Sequence, residues 1–285
     1  MAIDFPDSPS VGDQFVASGK TYQWDGTVWT IYGPQTNPDI FKVDTTNNRV
    51  GINSASPSVT LDVTGDAAVS GDLDVTGEFT SRGYRYVQTL YFTSSGSFTK
   101  ATYPWLRAIR VKCQGAGAGG ANRNVAYTSS PGGGGGAMAE SFITDIASLG
   151  ASETITVGAG SAGVASGVQG DSSSGGNSSC GALVIGVGGS GTSGLATYGG
   201  VGGLSSACTG DFAVSGNDGG TGSLEDDGHG GNGGGSHFGG GGYGGRRNTT
   251  PGANGRDYGG GGGGGTETAA AGAGANGIVI VELYA

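Results

Sequence analysis

Glycine constrains this chain more than any other residue. Of its 285 residues 66 are glycine, and all but ten of those fall within 115–277. Such a stretch has almost no side chain to bury, and glycine gives up more backbone freedom on folding than any other residue. An ordinary α/β core is therefore excluded. The remaining expectations are disorder, or order held by backbone hydrogen bonds inside an oligomer. Collagen fails as a template, because its triple helix needs glycine at every third position with abundant proline between. Here the runs 132–136, 239–242 and 259–265 are contiguous, and the chain has only 8 prolines.

Glycine- and serine-rich segments often behave as flexible coils, but the surroundings of these argue otherwise. WLRAIRVKCQ (105–114) lies upstream and GIVIVELYA (277–285) closes the chain. Between them come ESFITDI (140–146), ETITVG (153–158) and ALVIGVG (182–188). These short β-branched and aromatic runs, bounded by Gly, Ser and Asn, predict strands. The expectation is a β domain whose opening and closing strands are adjacent, with the glycine-rich segments looped out. The purest runs have a second, ordered option. Polyproline II backbones have three residues per turn and, without Cβ atoms, pack side by side as polyglycine II.

The net charge of −10 repels phosphate, so nucleic acid is not an expected partner. Only Arg246 and Arg247 form a basic pair. The start shows no basic region leading into an apolar stretch, and the longest purely aliphatic run is 278–281. Neither a secretion signal nor membrane insertion is expected. Cys113, Cys180 and Cys208 are too few and too widely spaced for a zinc site or a disulfide framework, so plain thiols made in a reducing cytoplasm are expected.

From Leu61 the sequence falls into hexads: LDVTGD, AAVSGD, LDVTGE, FTSRGY. Within them Leu61, Val63, Val69, Leu73, Val75 and Phe79 alternate with polar residues, and glycine recurs at 65, 71, 77 and 83. Period two implies extended strands with one apolar face, bent regularly at glycine. Four hexads are too few for one chain to bury a core by stacking. A shaft shared by three parallel chains, with those six residues on its axis, is one expectation; a half-buried hairpin is the other.

These residues carry a resemblance. RVGINSASPSVTLDVTG, from Arg49, resembles the VGIGT-x-x-P-x-x-x-LDV-x-G element of phage tail fibre and adhesin proteins. It matches at Val50, Gly51, Ile52, Pro57, Leu61, Asp62, Val63 and Gly65, and departs at Asn53. The N-terminal residues Pro9, Gly12, Tyr22, Trp24, Gly26 and Trp29 are similar to short β modules in structural proteins of cyanobacterial phages. The part from Trp105 through GAGAGG to GIVIVELY resembles the glycine-rich domain at the ends of such fibres. The resemblance implies a mainly β, homotrimeric fibre in three modules: an N-terminal β module (1–38) joining other virion tail or baseplate proteins, a hexad shaft (39–84), and a glycine-rich β head (85–285). It further implies a virion protein made in the host cytoplasm. Its head would bind a bacterial surface glycan or outer-membrane protein; a fibre that only decorates the particle is the alternative, and a polysaccharide-degrading tailspike comes after it.

Motifs for chemistry are sparse. GAGAGG (115–120) satisfies G-x-G-x-x-G after a predicted strand, but the sequence that follows cannot form the required helix. Gly19-Lys20-Thr21 ends like a phosphate-binding loop, yet Gln14 stands where its first glycine belongs. His229 and His237 lie eight apart in glycine-rich sequence, and Glu225, Asp226 and Asp227 share one loop; neither set provides convergent metal ligands or two separately tuned carboxylates. No cofactor, metal or enzymatic activity is expected. Recognition normally sits on loops held by a rigid scaffold, here 121–131, 205–218, 223–230 and 236–258. Their aromatic and basic residues are Tyr127, Phe212, His229, His237, Phe238, Tyr243, Arg246, Arg247, Arg256 and Tyr258. Such residues supply rigid contact area and bidentate hydrogen bonding at binding surfaces, or else pack locally over the glycine layers.

Overall fold

In a computed structural model, residues 3–32, 41–72, 74, 83–125, 128–223, 228–247 and 250–285 are described. The chain divides into two compact units, Met1–Phe79 and Thr80–Ala285.

The first unit holds two three-stranded sheets. Strands β1 (Gln14–Ala17), β2 (Lys20–Trp24) and β3 (Trp29–Ile31) form an antiparallel meander. Ser18 and Gly19 turn the first hairpin with φ of 50° and 76°, the left-handed geometry that matches strand twist. Phe5 closes one face, its ring 5.6 Å from Phe15, 5.0 Å from Tyr22 and 5.5 Å from Trp29. The second sheet pairs β4 (Phe41–Asp44) antiparallel with β5 (Arg49–Ile52), and β5 parallel with β6 (Leu61–Val63). Only β6 of the hexad region is strand among the described residues, and in the single chain Leu61 and Val69 are exposed. Leu73, Val75 and Phe79 lie outside the described residues.

The second unit begins as a sandwich. A five-stranded antiparallel sheet has the order β14 (Phe212–Val214), β10 (Met138–Ile143), β9 (Ala108–Gln114), β15 (Ile278–Tyr284), β7 (Tyr86–Phe92). A four-stranded sheet has the order β13 (Val184–Gly186), β12 (Ser178–Cys180), β11 (Ser152–Thr156), β8 (Gly96–Thr99). The opening and closing strands of the glycine-rich region, β9 and β15, pair from Gln114–Ile278 to Ala108–Tyr284. Strand alternation sends Ile109, Val111, Cys113, Val279, Val281 and Leu283 inward to meet Phe98, Ile155, Cys180 and Val184 in one core. All three cysteines are free thiols; burial pushes Cys113 upward and raises Cys180 to about 12.

The described glycine-rich segments are ordered by backbone hydrogen bonds to other segments of the same chain. Twelve extended columns occur among the described residues: g1 (115–121), g2 (131–137), g3 (158–164), g4 (170–176), g5 (187–192), g6 (199–203), g7 (216–222), g8 (230–235), g9 (240–245), g10 (252–256), g11 (259–265) and g12 (270–277). The bonds of g2 give the rule. Gly132 and Gly135 donate to Gly220 and Asn217 of g7, Gly133 and Gly136 to Gly262 and Gly259 of g11, and Gly134 and Ala137 to Ser190 and Val187 of g5. Its carbonyls accept likewise: Gly134 and Ala137 from g1, Gly132 and Gly135 from g6, Gly133 from g8, at 2.8–2.9 Å. Each partner recurs every third residue, the periodicity of a polyproline II backbone that bonds sideways instead of within itself. The glycine runs are polyglycine II columns.

The bonding partners fix the cross-section. Columns g1, g2 and g11 each touch the other two and are the most buried, as their runs of fully enclosed residues show. The other nine surround them and close a ring by hydrogen bonds in the order g3, g4, g5, g6, g7, g8, g9, g10, g12, back to g3. Six neighbours per inner column is hexagonal packing, and it requires missing side chains. A Cβ at Gly120, Gly133 or Gly262 would come closer than 3.0 Å to a carbonyl of another column.

Candidate binding site

Successive columns run antiparallel, as Ala118 to Gly134, Gly175 to Gly189, Gly219 to Gly200 and Gly233 to Gly242 illustrate. The connections therefore sort onto two ends, about 20 Å apart for seven residues at about 3.1 Å each. One end carries the strands: g1, g2 and g12 continue directly into β9, β10 and β15. The chain enters and leaves there, Arg85 and Ala285 exchanging backbone bonds of 3.0 and 2.9 Å. The other end carries six loops, whose described residues are 122–125 with 128–130, 165–169, 193–198, 223 with 228–229, 246–247 with 250–251, and 266–269.

These loops are tied to one another. Asn122 Nδ2 donates to the Ala165 carbonyl at 2.8 Å, Asn124 Nδ2 to that of Gly167 at 3.0 Å, and Arg123 Nε to that of Gly194 at 2.8 Å. Ser129 N donates to the Ser223 carbonyl at 3.0 Å, Ser166 Oγ to that of Thr268 at 2.9 Å, and Arg247 Nε faces Glu267 at 3.7 Å. Asp171 accepts from Ser193 Oγ at 2.7 Å and from Gly194 N at 3.0 Å, which holds its carboxyl below the usual aspartate range. Between these ties Val125, Val168, Leu195 and Tyr198 are exposed, Tyr198 at 78%.

The ten aromatic and basic residues singled out from the sequence do not form one cluster. His229, Arg246 and Arg247 belong to the loop end, where His229 and Arg246 are bridged through their backbones. Tyr243 is on the flank in g9 with the Arg256 guanidinium 4.7 Å above its ring. His237 and Phe238, with rings 4.7 Å apart, sit in the g8–g9 turn at the strand end, and Phe238 is bridged there to Tyr258. Phe212 is on edge strand β14, 57% exposed, also at the strand end. Tyr127 lies outside the described residues, as do Glu225, Asp226 and Asp227. Segment 205–218, read as one binding loop, is thus a 3-10 turn and a sheet strand. Segments 165–169, 193–198 and 266–269 belong to the loop end as well, with Tyr198 the exposed aromatic among them; the up-and-down order of the columns places them beside 122–130.

A cavity of about 860 Å³ opens on the flank near the loop end. His229, Asn232, Tyr243, Arg246 and Thr250 line it over a floor that includes Gly230, Gly231 and Gly244. GAGAGG, the dinucleotide-like motif, is inner column g1, its glycines pressed against carbonyls of neighbouring columns. Among the described residues no three His, Cys, Asp or Glu side chains are grouped to hold a metal, and no helix is long and apolar enough to cross a membrane.

The family described as glycine-rich domain matches residues 93–284, which covers every column and all the strands of the sandwich except β7. No curated protein matches the chain.

Proposed function

We propose, from the premise that the chain belongs to the glycine-rich domain family, that it is a virion fibre protein whose loop end binds a component of a bacterial surface. The observation that carries this reading is the separation of ends in residues 80–285. The polypeptide enters and leaves through the strands, at Arg85 and Ala285, while six cross-tied loops crowd the opposite end of a bundle bonded in three directions. A stiff scaffold with its attachment at one end and its loops at the other suits recognition, because the loops lose little freedom on binding. In this reading three chains join through the hexads, and residues 1–38 contact other virion proteins. Several weak loop ends on one particle then suffice through avidity.

Labelled full-length chain should adhere to cells of a strain infected by virions that carry it, and an excess should reduce infection of that strain. Firm incorporation into purified virions without adhesion or competition would overturn the receptor-binding role and assign the chain to decoration.

A further inference from the structure

The flank cavity is built for a small anion presented on a polar ring. At about 860 Å³ it lies within the range of ordinary ligand pockets, about 300–1,000 Å³. Its glycine floor is bare backbone, with no side chain rising from Gly230, Gly231 or Gly244. Tyr243 is 62% exposed, and its ring is steadied by the Arg256 guanidinium at 4.7 Å. An aromatic face held in this way offers an apolar platform for the C–H face of a sugar.

The polar groups are donors. Asn232 Oδ1 is committed to Gly244 N at 2.9 Å, so its amide N–H groups are what it presents. The Arg246 backbone is clipped on both sides by Thr250, at 2.8 and 3.1 Å, which fixes where the side chain starts. Among the described residues the Arg246 guanidinium makes no ion pair, and the neighbouring acid Glu267 faces Arg247. No carboxylate is among the described lining residues, although the chain carries a net charge of −10. An arginine fork without an ion pair among the described residues matches one carboxylate bidentately. Charges farther away than a Debye length of about 8 Å are largely screened, so the net charge of −10 weighs little against such a pairing.

We infer that this cavity binds a carboxylate-bearing saccharide unit, with Arg246 on the carboxylate, Tyr243 under the ring and the Asn232 amide on a hydroxyl. The inference rests on the adhesion reading, whose ligand class it names.

Calorimetric titration of the full-length chain should show binding of trigalacturonate at least ten-fold tighter than of the neutral galactotriose or of glucose 6-phosphate. Arg246→Ala should weaken trigalacturonate binding at least ten-fold with an unchanged melting temperature, and Arg246→Lys should restore part of it. Tyr243→Ala provides a second variant should the first fail to fold. Equal affinity for the neutral or phosphorylated sugar overturns the inference, as does wild-type binding by both alanine variants. A chain that adheres to cells but ignores trigalacturonate overturns this inference and leaves adhesion standing. One that binds trigalacturonate but no cells does the reverse.

Discussion

At Gly262 a single methyl group would be pressed into the Gly272 carbonyl, because inner column g11 has a neighbour in every direction. At Gly240, on the ring, the nearest atom to an added Cβ is the end of the flexible Arg256 side chain at 4.0 Å. The two positions look alike in sequence, each inside a glycine run, but differ in what surrounds them. Gly262→Ala should therefore cost about 3 kcal/mol or more, the upper range for overpacking a tight core. Gly240→Ala should stay within about 1 kcal/mol of the parent, aided by a less flexible unfolded chain. Urea unfolding midpoints distinguish the two. Composition made glycine conspicuous without saying which glycines bear on stability, since the steric demand comes from columns remote in sequence.

Among the elements, the columns behave as a lattice in which rank depends on position. Amides of g1, g2 and g11 bond inside the ring, whereas those of g3 or g10 lie on its edge. Hydrogen exchange should be slowest in the three inner columns and in β9 and β15, and faster by orders of magnitude in the six loops; mass-spectrometric exchange reads this directly. The strand pair has its own pH signature. Burial pushes the Glu282 carboxyl up, but hydrogen bonds from Lys112 and from the Tyr284 hydroxyl, both at 2.9 Å, together with the Lys112 and Arg110 charges, outweigh it and leave it below the ordinary glutamate range. A depressed carboxyl contributes stability that is present above its unfolded value, about 4.3, and is lost as pH falls through the folded value. Glu282→Gln should cost about 1 kcal/mol at pH 7 and little at pH 3, measured by urea unfolding at both. The strands were legible from their β-branched runs, as β9, β10, β11, β13 and β15 show. Strand β7 (YVQTLYF) carries the same signature, whereas β8, β12 and β14, three or four residues each, are strands through pairing with neighbours more than through their own composition.

For the whole molecule, the lattice removes one reason to invoke an oligomer, since its lateral bonds close within a single chain. The proposed trimer must then rest on the hexads, where Leu61 and Val69 are left exposed in the single chain. Native mass spectrometry should give three copies, and Leu61→Asp with Val69→Asp should shift the mass to one copy with the glycine-rich unit still folded. A monomeric parent would sink the shaft proposal. By itself the sequence determined that the glycine-rich region could not bury a conventional core and that it opened and closed on strands. Only the tertiary structure decided that the runs are columns in a hexagonal bundle, which three of them form the interior, and which loops share an end. Those facts depend on backbone bonds between distant segments. A glycine backbone carries the same donor and acceptor at every position, so nothing local in the sequence tells one column from the next.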